Sequence, residues 1–198
     1  MHSRRFLLQR GIILCFAASL TLGSTWARTL DESLPNFQKV DEHVYRGAQP
    51  TNSGLKDLVE RGIKTVVDLR DIGEHSQADE QKAVTDLGMR YVSIPMQGMS
   101  TPKDKQIATV LALLNDVTSG PVFVHCKRGA DRTGTVIALY RIVHDGWDSK
   151  RALSEAKSYG MSAFQRAMQH YVTDYKTAGT IAGADATALS VDTRQPAH

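Results

Sequence analysis

The chain has 198 residues, 41% of them hydrophobic and 23% charged, which is too short for two ordinary domains and too apolar for disorder throughout. Its formal charge of +3 resides in Arg4, Arg5 and Arg10, since the 24 Lys and Arg less these three equal the 21 Asp and Glu. An electrostatic case for nucleic acid or an anionic membrane as partner therefore has no support.

Residues 1–27 read as an export signal. The three arginines precede an apolar stretch from Gly11 to Leu22, and Thr25-Trp26-Ala27 closes it with a small residue. That stretch falls short of the ~20 residues that cross a bilayer. Cleavage after Ala27 is expected, giving a periplasmic or secreted product without stable membrane insertion. Ser3-Arg4-Arg5-Phe6-Leu7-Leu8 resembles a twin-arginine signal, which leaves the export route open. Cleavage removes Cys15, so Cys126 stands alone and no internal disulfide can form.

Strand-like and helix-like segments then alternate. Val44 to Arg46 predicts a strand, Thr51 to Arg61 a helix ended by Gly62, and Lys64 to Leu69 a buried strand. A helix over Ser76 to Leu87 is closed by Gly88, and Arg90 to Ile94 gives another strand. Thr101 is the expected N-cap of the next helix, with Pro102 at its first position and Ile107, Val110, Leu111 and Leu114 on one face. Pro121 to His125 is short, apolar and β-branched, as in a buried strand; Thr135 to Val143 is long and apolar, as in a buried helix. Asp148 is the expected N-cap of a further helix, and Ala163 to Lys176 supplies the last. This alternation predicts one α/β domain over residues 28–176, monomeric, with a mostly parallel central sheet flanked by helices. From Thr177 to His198 the chain turns to Ala, Gly, Thr, Ser and Asp, which predicts a disordered tail.

The chemistry concentrates in His125-Cys126-Lys127-Arg128-Gly129-Ala130-Asp131-Arg132-Thr133-Gly134. A loop between a strand end and a helix start turns several backbone N–H groups into one concavity, where the helix dipole also favours an anion. Such a field stabilises a thiolate: cysteines in these settings titrate at about 3.5 to 7.5 rather than near ~8.5. The Thr133 hydroxyl is expected to reach the sulfur. Arg132 offers a planar fork for two phosphate oxygens, which lysine lacks.

His-Cys, five residues and Arg-Thr-Gly resemble the signature of the cysteine-dependent protein tyrosine and dual-specificity phosphatases. Tyr45-Arg46-Gly47-Ala48-Gln49-Pro50, Lys64-Thr65-Val66-Val67-Asp68-Leu69-Arg70 and Tyr140-Arg141-Ile142-Val143 ahead of Gly146-Trp147-Asp148 extend the resemblance, most of all to compact bacterial dual-specificity phosphatases, including periplasmic ones. The resemblance implies that Cys126 is a nucleophile forming a phosphocysteine and that Arg132 binds the phosphate. It also implies that the amides of Lys127, Arg128, Gly129, Ala130, Asp131 and Arg132 cradle the anion.

One part of the pattern is missing. The family's general acid is usually an Asp on a separate upstream loop, and Pro95-Met96-Gln97-Gly98-Met99-Ser100-Thr101 has none. Asp104 is the nearest carboxylate, although the third position of a helix opened by Thr101 also suits an acid for the dipole alone. Asp131 is the alternative; an acid at that place resembles the myotubularin-type phosphoinositide phosphatases, while a carboxylate there could equally hold Arg132. Asp71 and Glu74 stand further behind. Seven histidines show no metal-ligand spacing, no cofactor is expected, and His125 is expected to orient the loop. Lys127 and Arg128 either favour a substrate with several phosphates or face solvent. The expected substrates are phosphotyrosine proteins, with phosphoserine or phosphothreonine as further targets. An inositol phosphate or phosphoinositide head group, and a phosphate sensor with little turnover, remain as alternatives.

Overall fold

A computed structural model describes residues 32–175. The export signal and the tail lie outside these residues, as do the two ends of the expected domain. Five strands form one sheet in the order β1 (Gln38–Lys39), β2 (Val44–Ala48), β5 (Val122–Cys126), β3 (Thr65–Asp68), β4 (Arg90–Ser93). Only the two-residue β1, which the sequence pattern did not announce, runs antiparallel. The other four strands are parallel, with β5 between β2 and β3 and Cys126 beside Ala48 at its end.

Burial of every residue on both faces explains why β3 and β5 lack the alternation of a half-exposed strand. On one face Val44, Val67, Val122 and Val124 pack with α3 (Asp104–Asn115), α4 (Asp131–Val143), α5 (Ser149–Ser158) and α6 (Arg166–Asp174). On the other, Val66 and Phe123 pack with Leu55 and Leu58 of α1 (Asn52–Glu60) and Val84 of α2 (Gln77–Asp86). Thr51, Ser76 and Asp148 cap α1, α2 and α5 by accepting backbone N–H groups. Gly62 and Gly88 turn the chain at positive φ after α1 and α2. No helix among the described residues is long and apolar enough to cross a membrane.

Three helix starts differ from expectation. Helix α3 begins at Asp104 behind an N-cap at Lys103, so Thr101 is not its cap and Pro102 is not its first residue. The Gln106 side chain decides this: it accepts the Lys103 N–H at 2.8 Å and donates to the Pro95 carbonyl, tying the upstream loop to the helix start. Its buried face is the expected Ile107, Val110, Leu111 and Leu114. Helix α4 starts four residues before Thr135, because Asp131, Arg132 and Thr133 are buried despite their polarity. Helix α6 starts at Arg166 rather than Ala163, since Ser162 to Gln165 close a turn.

Gly54 gives a test of the packing. Alanine is the better helix former by about 1 kcal/mol, but a Cβ at this position would enter the Ser33 carbonyl. The clash with fixed backbone, worth about 1–3 kcal/mol, outweighs propensity. Gly54→Ala is therefore expected to lower the urea midpoint; an unchanged or raised midpoint contradicts the packing of α1 on residues 32–37.

Candidate active site

Strand β5 delivers Cys126, 2% exposed, to the carboxyl edge of the sheet, where parallel sheets bind ligands. The chain then bends through residues 127–130 and enters α4 at Asp131. Gly129 makes the bend: its φ is +67°, and a Cβ there would overlap the Gly47 carbonyl and the Ala48 nitrogen. The N-cap of α4 is Ala130, which has no side-chain acceptor, so no cap side chain competes with an anion for the first-turn amides. Lys127 and Arg128 are exposed at its rim, while Gly129, Ala130, Asp131, Arg132 and Thr133 are buried. The Thr133 hydroxyl has no hydrogen-bond partner, so the expected contact with the sulfur is not made.

Arg132 is 7% exposed. Its Nη1 and Nη2 donate to the two carboxylate oxygens of Glu74 at 2.5 and 3.0 Å, and Nη1 also reaches the Met96 carbonyl at 3.1 Å. Burial works against the guanidinium's charge, but Glu74 and the Cys126 sulfur hold its pKa above the ordinary value. Hydrogen bonding to Arg132 in turn holds the Glu74 carboxyl below its usual range. The partner of Arg132 is thus Glu74 and not Asp131. Asp131 accepts from Arg128 and, at 2.9 Å, from the Ser162 N–H, because the first turn of α4 points it toward the turn after α5. Asp104 is the first residue of α3, not the third, and accepts the Tyr171 hydroxyl at 2.7 Å. Neither Asp131 nor Asp104 bonds to Arg132, and the acid-free loop 95–101 contributes the Met96 carbonyl instead of a carboxylate. Glu74 was legible only as a distant candidate acid, since nothing local marks an ion pair across 58 residues.

Below the loop lies a buried polar cluster. Asp68, fully buried, accepts from Arg70 Nε and Nη2, each at 2.9 Å, and from the Tyr91 hydroxyl at 2.9 Å. Its burial would raise its pKa, but Arg70 and His125 hold it down at about 2. Glu80 contacts Arg70 and lies 3.0 Å from His125 Nε2. His75 Nε2 lies 2.8 Å from Asp68. The sequence spacing suggested no metal ligands, yet Asp68, His75 and Glu80 bring ligand-type atoms within 4.8 Å of one another. The Arg70 guanidinium, bound to both carboxylates, already supplies the cation there.

Burial first, and the Arg70 and Arg132 charges after it, bring His125 down to about 4 against the pull of Asp68. Its unfolded pKa is about 6.5, so the unfolded chain takes up the proton first as pH falls. The stability this provides is complete above about pH 6.5 and is lost between that value and about pH 4, amounting to about 3 kcal/mol. Urea unfolding at pH 7.5 and pH 4.5 should show a drop in the parent that is reduced in His125→Gln. Equal drops in the two contradict a buried neutral imidazole.

The model of a family described as a DSP-PTPase phosphatase fused to NAD+ kinase matches residues 27–174. Dual specificity protein phosphatase TpbA of Pseudomonas aeruginosa is 34% identical over 136 residues, covering 68% of this chain and 59% of the relative's own length. Inositol diphosphatase DSP5 of Arabidopsis thaliana is 29% identical over 150 residues, covering 71% of this chain and 70% of that protein. Two crystal structures of P. aeruginosa TpbA, one of a variant in complex with pTyr, align at 30% identity with TM-scores of 0.63 and 0.61. They cover 78% and 77% of this chain and 92% and 91% of theirs. The expected dual-specificity-phosphatase fold is the one observed, and the chain belongs to the DSP-PTPase phosphatase family.

Proposed function

We propose that this protein is a phosphoric monoester hydrolase that works through a covalent phosphocysteine on Cys126. The observation that carries this reading is the convergence of Cys126, the uncapped start of α4 and the Glu74-braced guanidinium of Arg132 at one sheet edge. In the first step the Cys126 thiolate attacks phosphorus, the ester P–O bond breaks, and the leaving oxygen takes a proton. In the second, water attacks the phosphocysteine, the P–S bond breaks, and phosphate departs with the thiolate restored. Charge spreading over the transferring group is met by the loop amides and Arg132, which need no reorganisation as it develops.

Asp131 is the proposed proton donor, since it opens the helix that directly follows the nucleophile's loop; it would have to leave Arg128 and the Ser162 N–H. Asp104 is the second candidate and would have to leave Tyr171. Phosphotyrosine is the proposed substrate group, supported by the likeness to TpbA and its complex with pTyr. The inositol phosphate reading keeps a specific support in the exposed Lys127 and Arg128 and in the likeness to an inositol diphosphatase. Action after export, in the periplasm or outside the cell, is part of the proposal and rests on Arg4, Arg5 and the apolar stretch from Gly11.

Cys126→Ser is expected to abolish turnover while retaining phosphate affinity, because the amides remain and only the nucleophile changes. Asp131→Asn should be slowed on alkyl phosphates by about 100-fold or more and little on an activated aryl phosphate, the signature of a lost general acid. Steady-state rates on both substrates check this. Substantial turnover by Cys126→Ser contradicts the covalent route. An Asp131→Asn enzyme with the parent's rates on both substrates removes Asp131 as the donor.

A further inference from the structure

Three arginines are buried among the described residues: Arg46, Arg70 and Arg132. Arg70 is held by Asp68 and Glu80, and Arg132 by Glu74. Arg46, 1% exposed, has no carboxylate within ion-pair distance among the described residues. Its Nη2 donates to the Gly129 carbonyl at 2.7 Å and its guanidinium lies 4.4 Å from the centre of the Tyr159 ring. Its Nε and Nη1 are buried without a hydrogen-bond partner. Glu155, the acid that acts most strongly on it, is bound instead to Arg141. A buried charge left unpaired disfavours folding, so its retention asks for an anion that is not part of the resting fold.

The sheet shows where that anion would be. Arg46 stands opposite Val124 and Ala48 opposite Cys126, so Arg46 is on the same face as Cys126, two residues deeper. The Gly129 carbonyl turns down to Arg46. A trans peptide points its N–H the opposite way, so the Ala130 N–H turns up into the concavity.

Resting on the phosphatase reading, we infer that Arg46 is a positioning residue that seats the signature loop through the Gly129 carbonyl and supplies, from below, an unpaired positive charge for the anion bound over Cys126. The titratable groups that face it are Glu155 and Tyr159 from α5 and its end, Arg141 from α4 and Cys126 from β5. Burial, acting first, brings the guanidinium down to about 10, still charged at neutral pH.

The test uses the full chain, tungstate as a non-reacting oxyanion, and the variants Arg46→Gln and Arg46→Lys. Inhibition of aryl phosphate hydrolysis by tungstate should weaken by about tenfold or more in Arg46→Gln and stay within about threefold of the parent in Arg46→Lys, which keeps the charge. Without tungstate the melting midpoint of Arg46→Gln should match or exceed the parent's, whereas its rise with tungstate should be largely lost. A merely structural arginine would give the reverse: a lower midpoint and unchanged inhibition. Where the glutamine variant does not fold, Arg46→Lys decides against the parent, and weakened tungstate inhibition there overturns the role of charge. Parent-like inhibition of Arg46→Gln overturns this inference alone. A parent that neither hydrolyses phosphate esters nor binds tungstate overturns the phosphatase reading and this inference with it.

Discussion

The close approach of two glycine backbones sets the geometry on which the site depends. Gly129 on the signature loop lies on the carbonyl of Gly47 in β2, leaving no space for a Cβ, and Gly47 in turn is closed off by the Phe123 ring at 2.7 Å from where its own Cβ would be. Because β2 pairs with β5 in a register that sets Gly47 beside His125 and Ala48 beside Cys126, this contact folds the loop back over the strand it has just left. The amides are thereby brought round the cysteine, and α4 starts early enough to put Arg132 in its first turn. Fixed geometry of this kind is what transition-state stabilisation by amides and guanidinium requires, since donors that must first reorganise lose most of their advantage.

Charge is the second organising feature. The resting fold supplies a carboxylate for Arg132 and two for Arg70, so these guanidinium groups are oriented before any substrate arrives. With Met96 taking the other N–H of Nη1, Glu74 still leaves one N–H of Nη2 on the Arg132 fork unspent. The Asp68, Arg70, Glu80 and His125 cluster braces the carboxyl end of β5, one residue before Cys126. Its cost is a dependence on pH, as His125 must stay neutral to stay buried.

Much of this was legible in the sequence, for identifiable reasons. Two-sided burial made β3 and β5 readable, and Thr51, Ser76 and Asp148 marked three helix starts because each is a residue that accepts backbone N–H groups. The signature located Cys126 and Arg132 because strand, bend and helix are contiguous in the chain. What was not legible was the set of contacts made across long separations. Glu74 meets Arg132, Arg46 meets Gly129 over 83 residues, and Gln106 overrides Thr101 by reaching back to Pro95. Asp131 misled because proximity in sequence suggested Arg132, whereas helical geometry turns it to Arg128 and Ser162.

The covalent intermediate is the central claim, and it can be observed directly. Quench of the enzyme in denaturant at mildly alkaline pH within milliseconds of mixing with an aryl phosphate, followed at once by peptide mass spectrometry, reads whether a phosphoryl group of about 80 Da is attached and where, since unfolding the loop stops the enzyme from hydrolysing its own phosphocysteine. The account predicts the label on the peptide carrying Cys126, and its absence when Cys126→Ser is treated identically. A turning-over enzyme with no label on Cys126, or with the label on another residue, contradicts it.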